Sequence, residues 1–366
     1  MAELVDAADS KSVARKGVLV RVRPGAPFPE KTGTDLEDQA LKLDRETEAL
    51  LYWASASTAR PLWTLSPEAA RNDYARGVAK TEVPPPPIGE ASELATPGPG
   101  GTMRLRRYTP ADADARAEAG ILFMHGGGCV IGDLETHDVL CRTLCHDTGA
   151  TVFALDYRLA PEHPFPAAIE DTVAALVWLS HEGPALGIDP KRIAVAGDSA
   201  GGGLAAVALH EAKGQLASPV RAQALIYPAL DLCGRLPSRK ELADHRFIPR
   251  EMIDWFFNHY FGTAWPIDDP RAIPALYEDY SGLPPALIIT AGHDPLRDEA
   301  AEYAGRLSAS AVPVDYECYE GSIHGFMNMG RVLRGAHRRA QQRLAAWLTE
   351  RLHDPRQPDQ PSTPQA

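Results

Sequence analysis

Residues 192–203 read RIAVAGDSAGGG, and this stretch decides the fold. Its first five residues are a largely apolar run typical of a buried strand, and the glycines lead into small and apolar residues typical of a helix. Between the two, Gly197 to Gly201 match the pattern G-x-S-x-G, a strained turn from strand to helix that exposes a serine hydroxyl. Ser199 is therefore the candidate nucleophile, and a structural glycine-rich turn is the alternative interpretation.

On both sides of this turn, apolar runs alternate with amphipathic segments. Strands are predicted at 121–124, 151–155, 192–196, 224–227, 286–290 and 314–319, and helices at 168–180, 203–212, 299–308 and 334–352. Strands that alternate with helices are typical of an α/β fold, in which helices cover both faces of a mostly parallel sheet. The first thirty residues show neither periodicity, so no helix or strand is predicted there.

The composition is that of a globular chain with a large core. The 366 residues are 44% hydrophobic and 23% charged, and 49 acidic against 37 basic residues leave a net charge of −12. This sign argues against a nucleic-acid partner. No apolar run approaches the roughly 18 residues that span a bilayer, and no secretory signal is evident at the start of the sequence. A cytoplasmic protein without stable membrane insertion is expected.

A glycine loop precedes the serine in the chain. His125 to Gly128 end the predicted strand 121–124 with three consecutive glycines. Backbone N–H groups from this loop, with that of Ala200, can point at the negative charge that develops on a carbonyl oxygen under attack. A phosphate-binding loop is the alternative, but neither a G-x-G-x-x-G pattern nor a Walker lysine follows. His125 is expected to fix the loop by hydrogen bonds.

Two later motifs supply a base and a carboxylate. His324 lies in a glycine-bounded loop after the last predicted strand, where an imidazole can accept the serine proton. Asp294 follows the strand 286–290 and is the candidate for orienting that imidazole. Asp298 and Glu299 are rival carboxylates, but they open the next helix and can serve as charges at its N-terminus.

These motifs, in this order, resemble the hormone-sensitive lipase family, the bacterial family IV esterases, in the branch whose turn reads Gly-Asp-Ser-Ala-Gly. The resemblance runs from about Leu41 to Leu352. Besides the turn, it rests on 125–128 with the continuation 130–133, on 156–162, on 294–296 and on 324–326. It implies an α/β-hydrolase fold, with a mostly parallel eight-stranded sheet, helices on both faces and a helical cap.

The resemblance also implies the reaction. Ser199, Asp294 and His324 would be the triad of a serine carboxylesterase that hydrolyses short to medium acyl esters without cofactor or metal. Oxyanion donors would be the N–H groups of Gly127, Gly128 and Ala200. An amidase or deacetylase with the same triad is the first alternative. A non-catalytic small-molecule receptor is the second, but such a receptor typically lacks the histidine that this chain has. A homodimer is allowed.

The chain divides into five parts on this interpretation. Residues 1–34 are read as a non-native or disordered extension, 35–95 as N-terminal cap helices and a linker, 96–233 and 280–353 as the core, 234–279 as a cap or lid insertion, and 354–366 as a disordered tail. The extension resembles the in-frame translation of a bacterial tRNA gene, most clearly at Val20 to Pro24. Deleting residues 1–30 is therefore expected to leave folding and activity unchanged.

Four residues are candidates for substrate binding: Cys129, Trp53, Trp255 and Tyr260. Cys129 stands where the family usually has a bulky aromatic residue, so a wider pocket is expected beside the glycine loop. The three aromatic residues belong to the predicted cap, with core packing as the alternative role. His137, Cys141 and Cys145 would share one face of a helix. No fourth ligand is indicated, so no metal site is predicted there.

Overall fold

The computed structural model describes residues 18–22, 42–111, 118–243 and 247–353, and in these ranges nine strands form one sheet. The strands are β1 (Val18–Val22), β2 (Glu90–Gly98), β3 (Gly101–Thr109), β4 (Gly120–Met124), β5 (Thr151–Asp156), β6 (Ile193–Asp198), β7 (Ala222–Ile226), β8 (Ala286–His293) and β9 (Val314–Ile323). Their order is β1-β9-β8-β7-β6-β4-β5-β3-β2. Strands β4 to β9 pair in parallel, whereas β1, β2 and β3 pair antiparallel.

Helices cover both faces of this sheet. The helices of the described ranges, including those of the cap, are α1 (Arg45–Ala56), α2 (Pro67–Thr81), α3 (Asp138–Thr148), α4 (Ala167–Glu182), α5 (Ala200–Glu211), α6 (Pro237–Glu241), α7 (Arg250–Phe261), α8 (Arg297–Ala309) and α9 (Arg334–His353). Alternate strand residues enter two separate cores. Leu122 and Ile288 join the core that contains α4, α5 and α8, and Phe123 and Ile289 join the core that contains α3 and α9.

The predicted strands are all present, as β4 to β9, and the predicted helices are α4, α5, α8 and α9. Together with the hairpin of β2 and β3, they give the eight strands that the resemblance implies. The run 97–101 forms the turn of that hairpin. The prediction that the first thirty residues contain no strand is wrong for Val18–Val22, which pairs with β9 at the edge of the sheet.

The cap consists of α1, α2 and the helices α6 and α7 of the segment between β7 and β8. The side chain of Ser66 accepts a hydrogen bond from Ala69 N–H, and Pro67 is the first residue of α2; both residue types are typical of a helix start. The division into five parts stays a prediction, and 1–17 and 354–366 lie outside the described residues. No helix in the described ranges is both long and apolar enough to cross a bilayer.

Removal of residues 1–30 tests the role of β1. This strand pairs with Val314 to Cys318, well before His324, so its loss leaves the residues around His324 in place. We expect kcat/KM of the truncated chain to stay within about twofold of the full chain. The melting temperature is expected to fall by a few degrees at most, since only one short ladder is lost. A large loss of activity would contradict a dispensable extension.

Candidate active site

Ser199 occupies the turn between β6 and α5 with φ 55° and ψ −122°, a conformation rare for a residue with a side chain. Its N–H donates to the Ile226 carbonyl at 2.8 Å, and its carbonyl accepts from Ala229 N–H at 3.0 Å. A Cβ on Gly201 would collide with the Met124 carbonyl of β4, so only glycine allows α5 to start this close to the sheet. The turn therefore has the geometry that the sequence pattern predicts.

Two hydrogen bonds connect Ser199, His324 and Asp294. His324 Nε2 lies 2.8 Å from Ser199 Oγ, and His324 Nδ1 lies 2.7 Å from Asp294 Oδ2. Asp294 is fully buried, and its other oxygen accepts from Leu296 N–H at 2.8 Å. The carboxylate thus has a fixed orientation, and the imidazole reaches the serine hydroxyl with its second nitrogen.

The rival carboxylates are engaged elsewhere. Asp298 accepts from Ser238 N–H at 2.9 Å and pairs with Arg297 at 2.8 Å. Glu299 is buried and pairs with Arg239 at 2.6 Å. Neither has a hydrogen bond to His324. The preference for Asp294 rests on this difference.

The glycine loop faces the same site. Gly127 and Gly128 have positive φ values of 120° and 61°, and both line a cavity with Ser199 and Ala200. A Cβ on Gly128 would overlap the ring of Phe256 from α7, so the loop needs glycine where the cap approaches it. The structure brings the three predicted oxyanion donors together beside the serine.

His125 holds the loop from behind. Its Nδ1 lies 2.7 Å from the Gly126 carbonyl, and its own carbonyl accepts from the Tyr157 hydroxyl at 2.8 Å. Burial, together with the positive charge of His137, lowers the pKa of His125 to about 4. The ring is therefore neutral at pH 7 and suits the fixing role expected for it.

A buried polar network links the loop to the serine turn. Asp198 accepts from Gly126 N–H at 2.8 Å and lies 3.2 Å from His137 Nε2. The Asn328 amide contributes contacts of 3.2 Å to His137 and 3.4 Å to Asp198. Burial alone would raise the pKa of Asp198, but the His137 charge and these hydrogen bonds hold it below its usual value. Burial alone would lower the pKa of His137, but the charge of Asp198 and the hydrogen bond to it have the larger effect. The pKa of His137 is therefore raised.

The sequence motifs do not predict this network. Asp198 is only the unspecified residue of G-x-S-x-G, and His137 stands out only through its spacing from Cys141 and Cys145. The structure instead pairs His137 with Asp198, and Cys145 Sγ donates to the Tyr108 carbonyl at 3.5 Å. The described residues contain no group of three or more potential ligands placed to hold a metal ion. The one available signal was that Asn328 closely follows His324 in the chain.

Helix α2 touches both loops of the site. Arg71 donates from Nε to the Val130 carbonyl at 2.8 Å, two residues after Gly128 of the glycine loop. At the other end of the helix, the Thr81 hydroxyl donates to the Asn328 carbonyl at 3.2 Å, and the Thr81 backbone carbonyl accepts from Arg331 N–H at 2.8 Å. The cap therefore contacts the glycine loop and the segment that carries His324 through one rigid element.

A cavity of about 430 Å³ opens beside Ser199 and His324. Its walls are mainly apolar and come from the cap and from α5. They include Leu50, Trp63, Val78, Leu204, Val207, Ile253, Phe256 and Phe257. A mostly apolar pocket with a few convergent polar groups is typical of a site for a small organic molecule.

Two of the four predicted substrate-binding residues line this cavity, namely Cys129 and Tyr260. Trp53 and Trp255 do not, and this expectation is corrected. Trp53 is 72% exposed on the outer face of α1. Trp255 packs against Phe256 and His259, and because neighbouring helical residues point about 100° apart, Phe256 faces the cavity in its place.

Comparisons with known proteins identify the fold and the family of the chain. A family model described as the alpha/beta hydrolase fold matches residues 121–328. The carboxylic ester hydrolase LipN of Mycobacterium tuberculosis is 38% identical over 325 residues, which cover 85% of each chain. The ethyl acetate hydrolase of Pseudomonas putida is 37% identical over 77% of this chain and 90% of its own.

A solved structure shows the same fold. The ester hydrolase EH1AB1 from the metagenome of Lake Arreo is 38% identical, with a TM-score of 0.80 over 84% of this chain and 98% of its own. Its identity and coverage are similar to those of the sequence relatives. The chain therefore belongs to the hormone-sensitive lipase family of α/β-hydrolases and is a carboxylic ester hydrolase.

Proposed function

We propose that the chain hydrolyses short to medium acyl esters through an acyl-enzyme intermediate on Ser199. The observation that carries this proposal is the continuous pair of hydrogen bonds from Asp294 through His324 to Ser199, 2.7 and 2.8 Å long, at the wall of an apolar cavity. A serine hydroxyl is a weak nucleophile at neutral pH and needs such a base.

The reaction begins when Ser199 Oγ attacks the ester carbonyl and His324 Nε2 accepts its proton. Asp294 holds the Nδ1–H side of the ring and stabilises the imidazolium that forms. The N–H groups of Gly127, Gly128 and Ala200 stabilise the oxyanion. His324 then gives its proton to the leaving alcohol, and the ester bond to Ser199 remains.

Water completes the cycle by the reverse route. His324 accepts a proton from the water molecule that attacks the acyl group, and then returns a proton to Ser199 Oγ as the acid leaves. No step needs a cofactor or a metal. The partner is thus a small ester, and the cytoplasmic location and the homodimer stay predictions.

A panel of p-nitrophenyl esters from acetate to palmitate tests the proposal. We expect kcat/KM to be highest for acyl chains of about two to eight carbons, because the volume of the cavity, about 430 Å³, suits a small substrate. Rapid mixing is expected to release one p-nitrophenol per protein in a burst if deacylation is slower than acylation.

The matching p-nitroanilides separate ester hydrolysis from amide hydrolysis. We expect them to react at least about 100-fold more slowly than the esters, since a poorer leaving group raises the barrier to acylation. An equal or faster rate on the anilides would favour the amidase alternative. No turnover of any ester in the panel would contradict the proposed function.

A further inference from the structure

A buried hydroxyl in the cavity wall takes no part in the proposed mechanism. Tyr260 lies on α7, is 2% exposed and lines the cavity. Within the part of the chain that the structure describes, its hydroxyl has no hydrogen bond to nitrogen or oxygen. A buried hydroxyl without such a partner costs stability, and phenylalanine would avoid that cost. The hydroxyl therefore needs an explanation beyond packing.

The ring of Tyr260 is held firmly in place. It makes edge contacts with Phe165 at 5.7 Å and a tilted contact with Phe261 at 5.0 Å between ring centroids. Its backbone carbonyl also accepts from Phe165 N–H at 2.9 Å. Because the ring is packed on its sides, the hydroxyl cannot turn to solvent without moving α7.

The hydroxyl faces the thiol of Cys129, which directly follows the oxyanion glycines and is 4% exposed. A thiol is only a weak hydrogen-bond partner. Burial raises the pKa of Cys129 to about 12, so the thiol stays neutral and gives the hydroxyl no anionic acceptor. The thiol is the hydrogen-bond partner of the Tyr260 hydroxyl in this structure, and a stronger acceptor, such as an oxygen atom of a bound substrate, can replace it.

Helix α5, which begins directly after Ser199, lines the same cavity with the apolar side chains of Leu204 and Val207. The nearby cation, Arg271, is already paired with Asp269 at 2.7 Å. An acyl chain bound to Ser199 in this cavity would therefore meet apolar walls and the Tyr260 hydroxyl.

We propose that Tyr260 determines acyl specificity, its hydroxyl donating a hydrogen bond to an oxygen atom within the acyl chain. The preferred substrates are then esters of small oxygen-bearing acids, such as alkoxy and oxo acids, over esters of plain alkanoic acids. A site built to hydrogen-bond a substrate group discriminates against the analogue that lacks it. This inference rests on the proposed ester hydrolysis at Ser199 and adds a substrate class to it.

The test compares p-nitrophenyl methoxyacetate with p-nitrophenyl butyrate, which differ by an oxygen in place of one methylene. The methoxy ester is intrinsically more reactive, so the kcat/KM of the methoxy ester is divided by that of the butyrate for each protein. The informative quantity is this ratio in the wild type divided by the same ratio in Tyr260→Phe. We expect this quotient to be about 10, mainly through loss on the methoxy ester. Tyr303→Phe, a buried tyrosine on α8 that packs against His210, is expected to leave the ratio unchanged.

An unchanged ratio in Tyr260→Phe would overturn the inference while ester hydrolysis stands. Failure of the wild type to hydrolyse either ester would instead remove the proposed function. If Tyr260→Phe does not fold, Ser199→Ala allows the dissociation constants of both esters to be measured with Tyr260 intact. Binding of the methoxy ester about fivefold tighter would support the inference, and equal or weaker binding would overturn it.

Discussion

Replacing Ser199 by alanine is expected to lower kcat for p-nitrophenyl butyrate by about 10⁴-fold or more. The substitution removes the only atom that His324 Nε2 approaches at hydrogen-bond distance among the described residues, and with it the nucleophile. The measurement is the steady-state rate of p-nitrophenol release at pH 7.5 to 8. The remaining rate would reflect oxyanion stabilisation and binding alone.

A matched control keeps this result specific. Ser55 is exposed on α1, and Ser55→Ala removes a hydroxyl of the same size from the surface. We expect its rate to stay within about twofold of the wild type. Both variants are expected to melt near the wild-type temperature. A Ser199→Ala protein with a near-normal rate would place the nucleophile elsewhere.

Replacing Asp198 by alanine is expected to lower the free energy of unfolding by about 3–5 kcal/mol. The change leaves buried His137 without its carboxylate, so the ring either keeps its charge unpaired or loses its proton, and Gly126 N–H loses its acceptor. Urea unfolding at pH 5.5, followed by circular dichroism, measures the loss. In the double variant with His137→Ala as well, the loss is expected to be smaller than the sum of the single losses, because each single change already breaks the same buried pair.

The loss is also expected to depend on pH. The pKa of Asp198 is lowered in the folded chain, so its contribution is complete above its unfolded value of about 3.9 and disappears as the pH falls through the folded value. The pKa of His137 is raised, so its contribution is complete below about 6.5 and disappears as the pH rises through the folded value. The difference between wild type and Asp198→Ala should therefore be largest between about pH 4 and 6.5. A difference below about 1 kcal/mol in that range would show that the pair contributes little.

The sequence was sufficient for the parts of the fold with strong local patterns. Apolar runs marked β4 to β9, and Ser66 with Pro67 marked the start of α2. The hairpin of β2 and β3 was not predicted, because it lies at the edge of the sheet, where one face stays solvated and the strands have no continuous apolar run. The nine residues of β2, for example, contain a single buried one.

The candidate site was predictable where chemistry restricts residue type, and less so where only geometry decides. Ser199, Asp294 and His324 follow from motif and chain order. Trp53 was misplaced because the direction of an aromatic side chain on a cap helix depends on how the helix docks. The pairing of Asp198 with His137 joins residues 61 positions apart, and no local pattern reports such a contact.

Helix α2 is hydrogen-bonded to the chain near the glycine loop and to the segment after His324, and these contacts limit how such an enzyme can change its substrate range. The same helix contributes Tyr74 and Val78 to the cavity wall and contacts the loops on either side of the nucleophile. A backbone shift that enlarges the entrance would therefore disturb the alignment of reacting groups as well. Adaptation to bulkier esters is accordingly expected to proceed by exchanging side chains at positions such as Leu50 and Trp63, with the path of the helix retained.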